Sequence, residues 1–214
     1  LGHQVVLIVG DFTGRIGDPS GVSKTRPMLT QEQLEANAQT YIDQFGRVVD
    51  VERAEIRWNG EWFGAMTFAD VIRLSAKITV ARILERDDFE ERLKGGLPVG
   101  LHELFYPLAQ GYDSVAIEAD VELGATEQKF NLLVGRALQT EYGQAPQVVM
   151  TLPILPGVDG VRRMSKSLGN YIGLTESPRE MYGKVMSIPD NAIATYLELA
   201  TALPRADVAR AARE

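Results

Sequence analysis

The apolar residues of this chain are spaced unevenly, and the changes of rhythm predict its elements. "QVVLIV" (4–9) and "QVVMTLPIL" (147–155) are continuous runs rich in β-branched residues, which is the pattern of strands buried on both faces of a parallel sheet. "RVVDVE" and "AEIRW" alternate like a pair of strands, with a glycine-bounded turn expected at "NGEW". Helical periods fill much of the rest. Thr30 with Gln33 reads as a capping box that opens a helix through about Phe45, and Thr67 caps another. "RILERDDFEERLKGG" is a charged helical stretch that stops at a glycine pair. Leu101 to Ala119 reads as helical, with Pro107 in the first turn or at a kink. "QKFNLLVGRALQTEYG" is helical too, with Asn131, Gly135 and Leu138 along one side.

Strands of this kind separated by helices predict an α/β doubly wound sheet, in which ligands bind at the carboxyl ends of the strands. Glycine-rich loops follow both "VVLIV" and "VVMTLPIL" and so lie at such ends. After Ser177 the pattern changes to helices opened by prolines, "PREMYGKVMSI", "PDNAIATYLELATAL" and "PRADVARAARE", the expected start of a separate helical domain.

Composition narrows the chemistry. The chain has no cysteine and only two histidines, so disulfides, thiolate catalysis and thiolate metal sites are excluded, little is left for zinc, and a reducing cytoplasm fits. No apolar run approaches the roughly 18 to 20 residues that span a bilayer. A net charge of −7 argues against coating nucleic acid, so any RNA contact is expected to be local. The chain starts almost directly on a strand, without methionine, and stops in what reads as mid-helix; a fragment cut at both ends is the expectation.

Against that acidic background certain stretches carry candidate chemistry. The loop "GDFTGRIGDPSG" has neither dinucleotide nor P-loop spacing, and taken bare it is a tight turn. Within it Asp18, between Gly17 and Pro19, could meet a ligand ammonium, and Lys24 and Arg26 follow in a segment that could close over phosphates. In "YPLAQGYD", Tyr106, Gln110 and Asp113 fall at i, i+4 and i+7, within about 60° around a helix. They form either a solvated stripe or the lining of a small polar cavity; the apolar remainder of the helix leaves room for the second. In "ELGATEQKFN", Gly124 and Ala125 permit close approach of a ligand, Glu127 could take ribose hydroxyls and Gln128 can donate or accept, although the stretch also serves as a plain helix start. Finally "GVDGVRRMSKSLGN" (157–170) concentrates Arg162, Arg163 and Lys166 in a flexible-looking run, suited to a departing polyphosphate or simply to a basic linker.

In this order, "GDFTGRIGDPSG", "YPLAQGYD", "GATEQKFN" and "RMSKS" resemble the tyrosyl-tRNA synthetases, class I enzymes with a Rossmann-type catalytic domain, from residue 1 to about 200. The resemblance implies residues 1–156 as a truncated catalytic domain with a helical dimer-interface connection at about 70–105. Residues 157–176 would be the signature loop and linker, and 177–214 the start of a helical anticodon-binding domain. By the same resemblance Asp18, Tyr106 and Gln110 surround the ammonium of bound tyrosine, Gln128 lies near its carboxyl end and Asp113 accepts its phenolic hydrogen. Glu127 holds the ATP ribose beside Ala125. Arg163 and Lys166 stabilise pyrophosphate, aided by Arg26 and Lys24. The implied partners are tyrosine, ATP with Mg2+ as substrate, tRNA(Tyr) and a second copy of the chain in a homodimer, with no tightly bound cofactor, no protein-held metal, no membrane and a cytoplasmic location. The family's His-Ile-Gly-His signature is absent and is expected upstream of Leu1, so the chain alone is expected to be inactive. Arg163, Ala125 and Glu127 stand where the family has lysine, glycine and aspartate. The related tryptophanyl enzymes and a non-catalytic RNA-binding relative are the alternatives.

Overall fold

The computed structural model describes residues 2–18, 30–165 and 168–211, apart from the side chains of residues 31, 34 and 35. They form two compact units, Leu1–Leu152 and Pro153–Glu214.

The first unit begins with β1 (Val6–Val9) and a single helical turn, α1 (Thr13–Ile16), closed by Gly17 at φ 81°, where a residue with a Cβ would be strained. Next comes α2 (Gln31–Phe45), opened by the Thr30–Gln33 capping box that the sequence predicts. Then follow β2 (Glu55–Trp58), α3 (Gly60–Phe63), α4 (Phe68–Ser75), α5 (Val80–Ile83) and α6 (Asp87–Lys94). A 3-10 turn at Leu101–Leu104 leads into α7 (Phe105–Ala116), with Pro107 in its first turn, where the missing N–H costs nothing. The unit ends with β3 (Val121–Ala125), α8 (Lys129–Glu141) and β4 (Val148–Leu152).

The strands pair in parallel, β1 with β2 and β3 with β4; of the two continuous apolar runs, the one that forms β4 is exposed at alternate positions instead of buried on both faces. Of the strands expected at "RVVDVE" and "AEIRW", only the second forms. Residues 47–54 are turns, and β2 takes its ladder from β1 instead of from a hairpin neighbour. "NGEW" is accordingly no hairpin turn: it carries the chain from the end of β2 into α3.

The core lies where α7 crosses α8, with Leu74, Leu108, Val115, Val134 and Leu138 in one cluster. Glycines let the two helices approach. A Cβ on Gly111 would stand 2.9 Å from the backbone nitrogen of Gly135 and 2.8 Å from Val134. On the β3–β4 pair, Val121, Leu123, Val148, Met150 and Leu152 are exposed at alternate positions and so line one face.

The second unit carries the 157–170 loop and then α9 (Pro178–Met186), α10 (Asp190–Ala200) and α11 (Arg205–Ala211). Ser177 closes a capping box on Glu180, with Pro178 in the first turn of α9.

Candidate active site

The site is built at the carboxyl ends of β1 and β2, where the following loops are stitched together. Gly60 N donates to Asp11 Oδ1 (2.8 Å), Phe12 N donates to Asn59 Oδ1 (2.9 Å), and Asn59 Nδ2 donates to Thr13 Oγ1 (3.0 Å). Asn59 is fully buried. From this corner its amide also reaches Asp113 Oδ2 at 3.3 Å, and Trp62 Nε1 donates to Asp113 Oδ1 at 2.9 Å. Asp113 is thus a buried acceptor with a donor on each oxygen. Burial strips it of water and pushes its pKa up to about 7, against the pull of the Asn59 and Trp62 hydrogen bonds; the nearby Glu122 and Asp11 charges add to the rise.

One and two turns N-terminal to Asp113 on α7 stand Gln110 and Tyr106, both partly buried on the same face. Gln110 is oriented from α8: Asn131 Nδ2 donates to Gln110 Oε1 (2.6 Å) and to Gln128 Oε1 (2.9 Å). With its oxygen so engaged, Gln128 turns its amide NH2 to Asp18 Oδ2 (3.0 Å). Asp18 Oδ1 in turn accepts from Arg86 Nη2 (3.1 Å), whose Nε is bound to Asp88 Oδ1 at 2.8 Å. The structure therefore joins Asp18, Gln110 and Gln128 into one polar chain through Asn131, and places Tyr106 and Asp113 on the same helix face as Gln110. Ala125 ends β3, and Glu127 stands exposed in the 3-10 turn that opens α8.

In the second unit Arg163 pairs in an antiparallel bridge with Pro156, so the loop is folded back as a short hairpin up to Ser165. Asn170, buried at 4% exposure, holds it: Oδ1 accepts from Ser165 N (2.9 Å), and Nδ2 donates to Arg163 O (3.1 Å) and Asp159 Oδ2 (3.2 Å). The backbone N–H groups of Val161 and Arg162 hold the Asp159 carboxyl well below the usual carboxylate range, helped by Asn170 and Arg162. Lys24, Arg26 and Lys166 lie outside the described residues.

A family model described as "tRNA synthetases class I (W and Y)" matches residues 1–212. The chain belongs to this family. Among curated relatives it is similar to the tyrosine–tRNA ligase of Moorella thermoacetica, 62% identical over 209 residues, which cover 98% of this chain and 51% of the relative. It is equally similar to that of Thermotoga maritima, 62% identical over 204 residues, which cover 95% of this chain and 51% of the relative. The chain thus spans about half the length of the curated relatives it matches. Among solved structures, the mitochondrial tyrosyl-tRNA synthetase of Aspergillus nidulans superposes with a TM-score of 0.74 at 23% identity, covering 97% of this chain and 65% of that one. The Archaeoglobus fulgidus tyrosyl-tRNA synthetase complexed with L-tyrosine gives 0.72 at 22% identity, covering 91% and 61%. Likenesses at such identity establish the fold, the doubly wound class I catalytic architecture that the strand and helix rhythm predicts.

Four residues that the site uses carry no recognisable signature along the chain. Asn59 and Trp62 stand in "WNGEW", which overlaps the expected turn; Arg86 is one cation among many in "RILERDDFEERLKGG"; Asn131 reads only as one side of a helix. The usable signal was polarity in the wrong place. An asparagine, and a tryptophan three residues on, just past a strand's carboxyl end have donors that a bare turn does not need.

Proposed function

We propose that the full-length protein is a tyrosine–tRNA ligase. It joins tyrosine to ATP to give tyrosyl-adenylate and pyrophosphate, then passes the acyl group to the terminal adenosine of tRNA(Tyr). One observation carries the choice of amino acid: the buried Asp113 acceptor, held by Asn59 and Trp62 at one end of the α7 polar face. A phenol hydroxyl adds a third donor to such a carboxylate, whereas phenylalanine would leave its remaining acceptor capacity desolvated and unmatched, a cost of about 1–3 kcal/mol. The high identity to curated tyrosine–tRNA ligases supports the same reading over the tryptophanyl branch.

At the other end of the face, Asp18, Tyr106 and Gln110 take the ammonium group and Gln128 lies towards the carboxylate. The carboxylate oxygen of tyrosine attacks the α-phosphorus of ATP, and the bond to the pyrophosphate oxygen breaks. No side chain becomes acylated, so the protein's part is positioning and charge stabilisation. Glu127 holds the ribose with the backbone at Ala125 close to the adenine. Arg163 and Lys166, with Arg26 and Lys24, neutralise the departing pyrophosphate. Magnesium arrives with the nucleotide as part of the substrate.

The protein works as a homodimer in the cytoplasm. Supporting the dimer, Phe68, Ile72, Val80 and Leu101 stand exposed along the connection between β2 and α7. No helix among the described residues is long and apolar enough to cross a membrane.

The test is exchange of labelled pyrophosphate into ATP by the full-length protein. Exchange that depends on tyrosine is expected; exchange supported equally by tryptophan would overturn the assignment.

A further inference from the structure

Arg86 is the most deeply buried cation the structure describes in contact with the pocket, at 4% exposure, and stability alone does not account for it. It occupies the N-cap position of α6 with no side-chain cap, so a positive charge sits at the positive end of a helix. Its guanidinium lies over the ring of the fully buried Phe89, 5.4 Å from the centroid, which fixes the plane of the fork. In that plane Nε is bound to Asp88 and Nη2 to Asp18, while Nη1 finds no acceptor among the described residues. A buried donor so placed costs free energy unless something meets it.

We propose that Arg86 is a positioning residue of the amino-acid pocket: it holds the Asp18 carboxylate in the rotamer that meets the substrate's ammonium group. The proposal rests on the assignment of Asp18 as the ammonium acceptor. Asp18 follows directly on Gly17, beyond the end of α1, so no regular element carries it. Two partners from distant elements contribute to its placement, Gln128 on Oδ2 and Arg86 on Oδ1. Of the two, Arg86 is the charged one, and its position is set by Asp88 on one side and Phe89 beneath. A lysine could supply the charge but not the fork, because one ammonium cannot hold Asp18 and Asp88 in a fixed plane.

The experiment measures the dissociation constants of tyrosine and of 3-(4-hydroxyphenyl)propionate, which keeps the phenol and carboxylate and lacks the ammonium, on the full-length protein. In Arg86→Gln the constant for tyrosine should rise about tenfold and that for the deaminated analogue by less than twofold, the loss expected of one charge-assisted contact. Arg86→Lys should show about a threefold selective rise and carries the test if the glutamine variant does not fold. Parallel weakening of both ligands, or no change in either, would overturn the role of Arg86. Asp18→Asn separates the two levels of the argument. If it leaves the selectivity for tyrosine over the analogue intact, Asp18 is not the ammonium acceptor and both readings fall. If it abolishes that selectivity while both Arg86 variants keep it, only the role of Arg86 falls.

Discussion

Asp113 is the residue whose environment says most about its task. A carboxyl raised to about 7 by burial is half ionised at neutral pH, and only the ionised form accepts a hydrogen bond on both oxygens while offering a further lone pair to a phenol. Tyrosine affinity should therefore strengthen as pH rises through about 7 and level off above it, whereas Asp113→Asn should bind weakly and with no such pH dependence; calorimetric titration between pH 5.5 and 8.5 reads both. Folding responds in the opposite sense. The unfolded chain releases this proton near 3.8 and the folded one near 7, so the unfolded state binds fewer protons between these values and the group's contribution to stability falls over that window. Binding and folding thus pull against each other at a single side chain. Asp113, Gln110 and Tyr106 were legible in the sequence because they obey one local rule, the helical period. Asn59 and Trp62 were not, because they meet Asp113 across more than fifty residues of chain. That encounter is made where the ends of β1 and β2 pack with α1 against α7, Asn59 reaching both Thr13 and Asp113, which no short window contains. Arg86 was hidden differently: its neighbours in the sequence are exposed charges, and burial of one member of such a run follows from tertiary packing alone.

At the scale of elements the site depends on how closely α7 and α8 approach. Asn131 can orient Gln110 and Gln128 together because no side chain intervenes at Gly111 or Gly135. Gly→Ala in a helix ordinarily stabilises by about 1 kcal/mol. At Gly111 the sign should reverse, since the added methyl meets the Val134 side chain and, behind it, the α8 backbone at Gly135 N and Val134 C, which cannot move aside. We expect Gly111→Ala to destabilise by roughly 2 kcal/mol. Gly183→Ala, in α9, meets nothing within 4 Å and should give the ordinary gain. Urea unfolding of the two variants against the parent measures the contrast. Helix existence, caps and the helical register were all readable, Thr30, Thr67 and Ser177 each closing the predicted start. The failure at "RVVDVE" shows the limit. Alternation marks a residue string that can be a strand, but a strand also needs an edge to pair with, and β2 already had one in β1. The 157–170 loop shows another limit: glycines and cations suggested looseness, and the single amide of Asn170 gathers the chain before it into a hairpin.

Across the whole molecule, charge and composition set boundaries more than they identified anything. A net charge of −7 is compatible with a pocket whose local cation, Arg86, serves particular carboxylates and not a continuous phosphate backbone. Family membership was carried by short motifs in a fixed order, which composition cannot register.

The bare face of the β3–β4 pair has a practical consequence. Val121, Leu123, Val148, Met150 and Leu152 present an apolar stripe across two strands, each of which has an unpaired edge among the described residues. Such a surface is a template for self-association. Prepared as the 214-residue chain, the protein should bind a hydrophobic reporter dye and come out of solution as its concentration rises. Replacing Leu123 and Met150 together by threonine should lower both dye fluorescence and turbidity, because the stripe is broken at its middle while β-propensity is kept. Handling of this polypeptide would then be governed less by its pocket than by a side of its sheet that has nothing to do with substrate.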